Sequence, residues 1–288
     1  MRFLSLLVLP LAACTSLPKP AVDSLALANG RVVAQLVHAT YDVKDHAATC
    51  KPFHRVFATD GRQLTKDLGG LFDHHRGIFV GWNHVTCEGR SFDFWHCRKG
   101  ETQRVVRLAA TSDGKGHDAH IEWLADDGAA IVREQRTVTV HALDDETFRL
   151  DVLCSLQAAA AAVVLGGDPQ HAGCQFRALQ AFTEEGAPKV TYLRPPSAQG
   201  GKDDVWTHCA WIAAVLPMPQ GAVTVLRVEA ATNPSATWST RPYGRFGAMS
   251  KATLTAAAPL QLRIAYVVSL GARDAAWCER LAAAALPR

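Results

Sequence analysis

After its first fourteen residues the chain has no run of eighteen or more apolar residues, so no membrane-spanning helix is expected. Charge is scarce too. Charged residues make up 20% and the net charge is only +3, with the basic side chains dispersed, so nucleic acid is not an expected partner. No CxxC, HxH or HExxH occurs, which removes the usual dithiol and zinc signatures. There is no internal repeat and no linker after residue 28. No helix of core size is patterned before the C-terminus.

What is present begins with MRFLSLLVLPLAAC. Arg2 supplies a minimal positive start, and Phe3 to Leu9 form an apolar segment too short to span a bilayer. Leu11–Ala12–Ala13–Cys14 resembles a bacterial lipobox, so residues 1–14 are expected to be a lipoprotein signal with Cys14 as the acylated terminus. Residues 15–28, with Pro18 and Pro20, are expected to be a tether that anchors the domain without spanning the membrane. This predicts a lipid-anchored protein of the bacterial cell envelope. Export would place the other seven cysteines in an oxidising compartment. A cross-strand Cys87–Cys97 bridge is one option, and buried single thiols acting as small hydrophobes are the other.

Residues 29–288 are expected to form one all-β domain. Arg31–Tyr41, Thr102–Ser112, His117–Leu124, Ala129–His141, Thr147–Gln157, Lys189–Leu193, His208–Val215, Ala222–Glu229, Thr253–Ala256 and Gln261–Leu270 have strand patterns, separated by turn signals. Asp60–Gly61 marks a hairpin. Ala158–Ala162 has helical propensity but leads into a valine run, and it is assigned to strand. Asp274 caps a short helix through Ala284. A large antiparallel β-sandwich is the economical architecture.

The densest chemistry lies in residues 71–98, LFDHHRGIFVGWNHVTCEGRSFDFWHCR, which hold four of the twelve histidines and two of the seven tryptophans. Ile78–Val80 has the pattern of a strand opening into a polar end at Asn83 and His84. Glu88–Gly89–Arg90 turns into a second strand, in which Asp93 and Trp95 would share a face opposite Phe92, Phe94 and His96. Strand alternation would also separate His74 from His75, leaving His74 as a scaffold partner. Further polar stretches are Gly166–Arg177, which contains His171, Val205–Trp211, and a long loop, Asn233–Gly247.

LFDHHRGIFVGWN, DFWHCRKGETQR, HAGCQFRA and NPSATWSTRPYGRFG, in that order, resemble the PmoA-like family of exported bacterial proteins. The resemblance covers about residues 30–270. It implies a large β-sandwich similar to galactose mutarotase and polysaccharide-lyase domains, many of which act on sugars. The family label derives from an integral membrane methane-oxygenase subunit and is not carried over as an activity. Ala158–Ala162 and Gly247–Ala248–Met249 depart from the family pattern.

The expected site is a His-, Arg- and Trp-lined cleft that takes a small sugar or oligosaccharide. Candidate catalytic side chains are His171, His75 and Glu134, with His171 as general acid or base beside the flexible Gly166–Gly167. Candidate ligand contacts are Arg76, Asn83, Asp93, Trp95, His96, Gln175, Arg177, Trp238, Arg241 and Tyr243. Imidazole titrates near neutral pH, which favours epimerase- or lyase-type proton transfer. Hydrolysis by paired carboxylates (Asp73, Asp93, Asp168, Glu134, Glu229) and a non-catalytic carbohydrate-binding lipoprotein are the alternatives. No cofactor is expected, a divalent metal on these histidines being the lesser option. The oligomeric state is not specified by the sequence.

Overall fold

The computed structural model describes residues 21–234 and 236–285, so Cys14 and the leader lie outside the described residues. Strand makes up 49% of the structure and helix 9%, which is the all-β class expected and far from the ~30% helix of an average globular domain. The strands build a nine-stranded, an eight-stranded and a four-stranded sheet among the described residues.

The nine-stranded sheet contains, side by side, Val32–His38, Phe53–Val56, Ile78–Trp82, Ala172–Arg177, Arg245–Met249 and Thr237–Arg241. The eight-stranded sheet is centred on Leu260–Leu270, Thr147–Ala158 and Ala130–Ala142. All pairings between these strands are antiparallel. Side chains alternate across a strand, so each strand of the nine-stranded sheet serves two environments. Val80, Cys174, Phe176 and Phe246 enter the core between the sheets, with Tyr266, Leu150 and Val152 opposite them. A fully buried side chain of this size contributes about 1.5–3 kcal/mol, so this layer accounts for stability and leaves the other face free for polar chemistry. On that face stand Phe79, Gln175, Arg177 and Arg245, in register across three strands. Phe79 packs there with Trp95, Phe53 and Val37 in a separate small cluster.

The C-terminal helix Ala275–Ala285 covers the far side of the eight-stranded sheet through Trp277, Cys278 and Leu281. Asp274 Oδ1 accepts from Trp277 N at 2.7 Å, the expected cap.

Several expectations are corrected. Ala21–Ala26, assigned to the tether, pairs with Val32–His38 as an edge strand. Of the Ala158–Ala162 run only Ala158 is strand: one strand ends there, the chain bends through 159–162, and a short strand begins at Val163. The long loop Asn233–Gly247 is largely a hairpin of Thr237–Arg241 and Arg245–Met249. The second strand of the 71–98 stretch stops at Phe92, because Asp93 Oδ1 accepts from the backbone of Trp95 and His96 and winds the next residues into a turn. No Cys87–Cys97 bridge is present, and all seven cysteines among the described residues are free thiols.

Candidate acid–base site

The site lies on the outer face of the nine-stranded sheet, where three non-strand segments converge. The first is residues 67–77. Lys66 Nζ donates to the carbonyls of Gly69 and His75, and His75 N donates to Phe72 O at 2.9 Å. The segment therefore closes on itself, with Phe72 at φ 56°. Because it is a turn rather than a strand, His74 and His75 do not diverge: their ring centroids are 4.3 Å apart. The expectation of opposite faces fails here.

The second segment is the Asp93–Cys97 turn. Besides its backbone contacts, Asp93 places Oδ2 2.7 Å from His96 Nδ1. The third is the loop into Ala172–Arg177, where His171 Nδ1 lies 2.9 Å from Asp168 Oδ1. Asn83 Nδ2 donates to Asp168 Oδ2 at 2.8 Å, and Asn83 Oδ1 accepts from Asp168 N at 3.3 Å. Gly167, at φ 99°, has no room for a Cβ, which would come within 2.4 Å of Asn83 Oδ1.

These contacts bring the segments together. His96 lies 4.5 Å from His74 and 5.3 Å from His171, centroid to centroid. Trp95 meets His75 and His171 edge-on at 5.8 and 6.0 Å. Tyr243, from the turn of the Thr237–Met249 hairpin, stacks on Phe72 at 5.6 Å and faces His75 at 6.5 Å. Arg177 lies beneath the Tyr243 ring at 4.7 Å. His74 and His96 also wall a cleft of about 410 Å³, bounded on its other side by residues 43–47 and by Cys50 and Arg76.

Electrostatics divides the four imidazoles. His75 is 3% exposed, and neither ring nitrogen has a hydrogen-bond partner among the described residues. Burial, with the charges of His74, Arg245, Arg177 and Lys51, holds it far below the usual imidazole range and therefore neutral. His74 is lowered to about 3 by burial and then by Lys51 and His96, against the pull of Asp73. His96 and His171 each have a carboxylate at Nδ1. Burial raises the Asp93 and Asp168 carboxyls, but hydrogen bonds together outweigh it, from the His96 ring and backbone and Trp95 N–H at Asp93 and from His171, Gln170 N–H and Asn83 at Asp168, and both lie below the ordinary carboxylate value. A carboxylate accepting at Nδ1 assigns that nitrogen the proton and leaves Nε2 as the basic lone pair. The outcome is two Asp–His dyads with adjacent rings.

The other sequence candidates have different roles. Glu134 is 2% exposed in the sheet interface, held by Arg136 Nε at 2.6 Å and Trp123 Nε1 at 2.8 Å. It forms an ion pair in the core and has no exposed face to offer a ligand. Trp238, 1% exposed, packs in the core under Arg227 and cannot stack on a ligand. Trp95 is fully buried, so it supports the histidines and offers no stacking face. Arg76 gives its guanidinium to the carbonyls of Ala47, Ala48, Lys51 and Asp73 and so secures the short helix His46–Thr49. Gln175 is buried between Ala172 O and Arg245, and Arg241 faces Asp204 at 3.4 Å.

Sequence reasoning missed Phe72, 39% exposed at the mouth of the site, and Lys51, a buried ammonium 4.6 Å above the Phe79 ring. The signal for Phe72 was an apolar Leu–Phe pair between two glycines and a run of polar residues. Lys51 had none. Among the described residues no group of three or more His, Cys, Asp or Glu side chains is arranged to hold a metal ion. No helix there is long and apolar enough to cross a membrane.

Among solved structures, the chain is similar to a heparinase III, at 10% identity over 93% of this chain and 37% of that one, with a TM-score of 0.31. It therefore spans little more than a third of that protein's length. It is also similar to a GalM/aldose epimerase homologue from C. elegans, at 8% identity over 88% of this chain and 100% of that one, with a TM-score of 0.44. An α-galactosidase from Geobacillus stearothermophilus, solved with stachyose, matches at 11% identity over 87% of this chain and 41% of that one, with a TM-score of 0.39. No match was found among curated proteins. Residues 25–283 match the family of unknown function DUF6807, and the chain belongs to that family.

Proposed function

We infer that the protein is a carbohydrate-active enzyme of the epimerase or lyase type, working by imidazole acid–base catalysis. One observation carries this reading: His96 and His171, each held at Nδ1 by its own aspartate, bring their rings within 5.3 Å of each other in the site. One imidazole takes a proton from carbon next to a carbonyl or carboxyl group. The other, carrying a proton on Nε2 when the substrate binds, returns it, to the opposite face for epimerisation or to the departing oxygen for elimination. His74, held neutral at the wall of the cleft, acts as a hydrogen-bond partner for substrate oxygens, and His75, buried against it, supports its ring. Phe72 and Tyr243 offer the half-exposed aromatic surface that suits the C–H face of a sugar ring.

The glycosidase alternative is weaker, because the carboxylates it needs are otherwise engaged. Asp93 and Asp168 hold the histidines, while Glu134 and Glu229 pair with buried Arg136 and Arg227, so of the five candidates only the exposed Asp73 at the cleft is left, one carboxylate and not a pair. Attachment through an acylated Cys14 to the cell envelope belongs to the same proposal and is supported by the Leu–Ala–Ala–Cys motif. Palmitate label retained undiminished by Cys14→Ala would remove it.

The catalytic reading is tested by incubating the protein in deuterated water with a panel of aldoses and uronate oligosaccharides and following C–H exchange and product by NMR. The expected result is exchange or conversion of at least one class, reduced roughly 100-fold or more by His171→Asn and by His96→Asn. Saturable sugar binding without exchange would replace the enzyme by a binding protein. Conversion that survives in the double variant would overturn the assignment of the bases.

A further inference from the structure

The cleft beside the dyads contains a second pair of reactive groups that the acid–base chemistry leaves unused. Cys50, at the end of the short helix His46–Thr49, and Cys97, at the end of the Asp93 turn, line the same 410 Å³ cleft. Both sit at the floor of that cleft, Cys50 2% and Cys97 0% exposed, near enough that each shifts the acidity of the other, although 46 residues of chain separate them. The surroundings hold them in position. Arg76 Nη2 lies 3.9 Å from Cys50 Sγ, Cys97 N donates to Asp93 O at 2.9 Å, and His46 Nε2 is bonded to Cys97 O. Cys97 also adopts φ 57°, an unusual backbone for a residue with a side chain.

We propose that Cys50 and Cys97 are a redox pair that closes to a disulfide at the floor of the cleft. The proposal is independent of the acid–base reading. Cys50 is the attacking group: the Cys97 hydrogen bond, then the nearby charges of Arg76, Lys51 and His46, overcome burial and bring its thiol to about 5. Its thiolate attacks one sulfur of a small-molecule disulfide such as oxidised glutathione, forming a mixed disulfide and expelling one glutathione thiolate. Cys97 gives up its proton, attacks the Cys50 sulfur and expels the second. Two protein thiols are oxidised, one disulfide is reduced to two thiols, and the protons go to the departing thiolates. Closure fastens the turn bearing Asp93 and His96 to the short helix.

The test is peptide mapping of the whole protein, reduced and then treated with oxidised glutathione, with free thiols alkylated before digestion without reductant. The expected product joins the peptides of Cys50 and Cys97 and is lighter by two hydrogens than their sum. Cys97→Ser should stop at a glutathione adduct on Cys50, and Cys50→Ser should leave Cys97 unmodified. Thermal unfolding of both variants confirms that they fold, while the wild-type map decides without them. A link between any other pair, such as Cys154 with Cys174, would overturn the proposal, as would Cys50 and Cys97 both remaining alkylatable.

Discussion

Asn83 holds Asp168 from both sides, donating to Oδ2 at 2.8 Å and accepting from its backbone N–H at 3.3 Å, while Oδ1 of the same carboxylate faces His171. Asn83 touches no reacting atom in the proposed chemistry. It is a positioning residue for the His171 ring.

Replacing Asn83 by Ala is expected to lower kcat by roughly 10–100-fold with little change in KM, an effect typical of losing an outer-shell partner. The measurement is the kcat and KM of the exchange reaction beside the pH profile of kcat. A basic limb left at the wild-type position would show that Asn83 does not act through Asp168 and His171.

His54 and His117 provide a stability prediction. Their Nε2 atoms are 2.9 Å apart in the buried interior. Burial, then His117 and Arg136, holds His54 well below the usual value. Burial lowers His117 to about 4, with Arg136 assisting against Asp23 and Asp118. For a base depressed by folding, the stabilisation is complete above the unfolded value near 6.5 and is lost as pH falls toward the folded value. Denaturant unfolding should therefore weaken between pH ~6.5 and ~4, on the order of 3 kcal/mol from His117 alone. His117→Gln should remove the His117 share of that pH dependence and leave the share due to His54, whose largest cause, burial, remains. A wild type equally stable across it would contradict the expectation.

Glu134 was a catalytic candidate in sequence and is a core ion pair in structure. Glu134→Ala leaves Arg136, 1% exposed, without its carboxylate, a change expected to cost about 3–5 kcal/mol. Chemical denaturation should show this loss, while kcat of whatever folded protein remains should stay near wild type. A stable but inactive variant would restore the catalytic role.

Two glycines of the 67–77 segment separate space from strain. Gly77 has φ 40°, and a Cβ would stand 2.0 Å from His54 O, whereas Gly69 has φ 74° and open space around it. Gly77→Ala should lose roughly 3 kcal/mol or more, through overlap added to strain. Gly69→Ala should lose about 1 kcal/mol. Equal melting temperatures for the two variants would refute the distinction.

The strands were legible because their period of two is written in side chains: Ala130–Ala142 and Thr147–Ala158 alternate along nearly their full length. The helix was marked by Asp274. Reading failed where a few residues leave the extended state. Nothing in a period of two shows that Phe72 and Cys97 take positive φ, so alternation sends His74 to the wrong face and extends a strand through Phe92–His96. The histidines and Tyr243 could be named because imidazoles and exposed tyrosine are out of place in a core. Glu134 and Trp238 misled for the converse reason. Alternation tells which residues share a face, and only the packing of the second sheet decides that their face is interior.

The chemistry of the outer face depends on residues brought from Lys51, His74, His96, His171 and Tyr243, with none of these segments able to hold its geometry alone. Joining such distant stretches has a loop-closure cost that is recovered only when the sheet between them is complete. Activity therefore reports on the finished topology, and a chain cut anywhere between residues 98 and 168 has to reassemble both pieces before it regains a single working pair of bases.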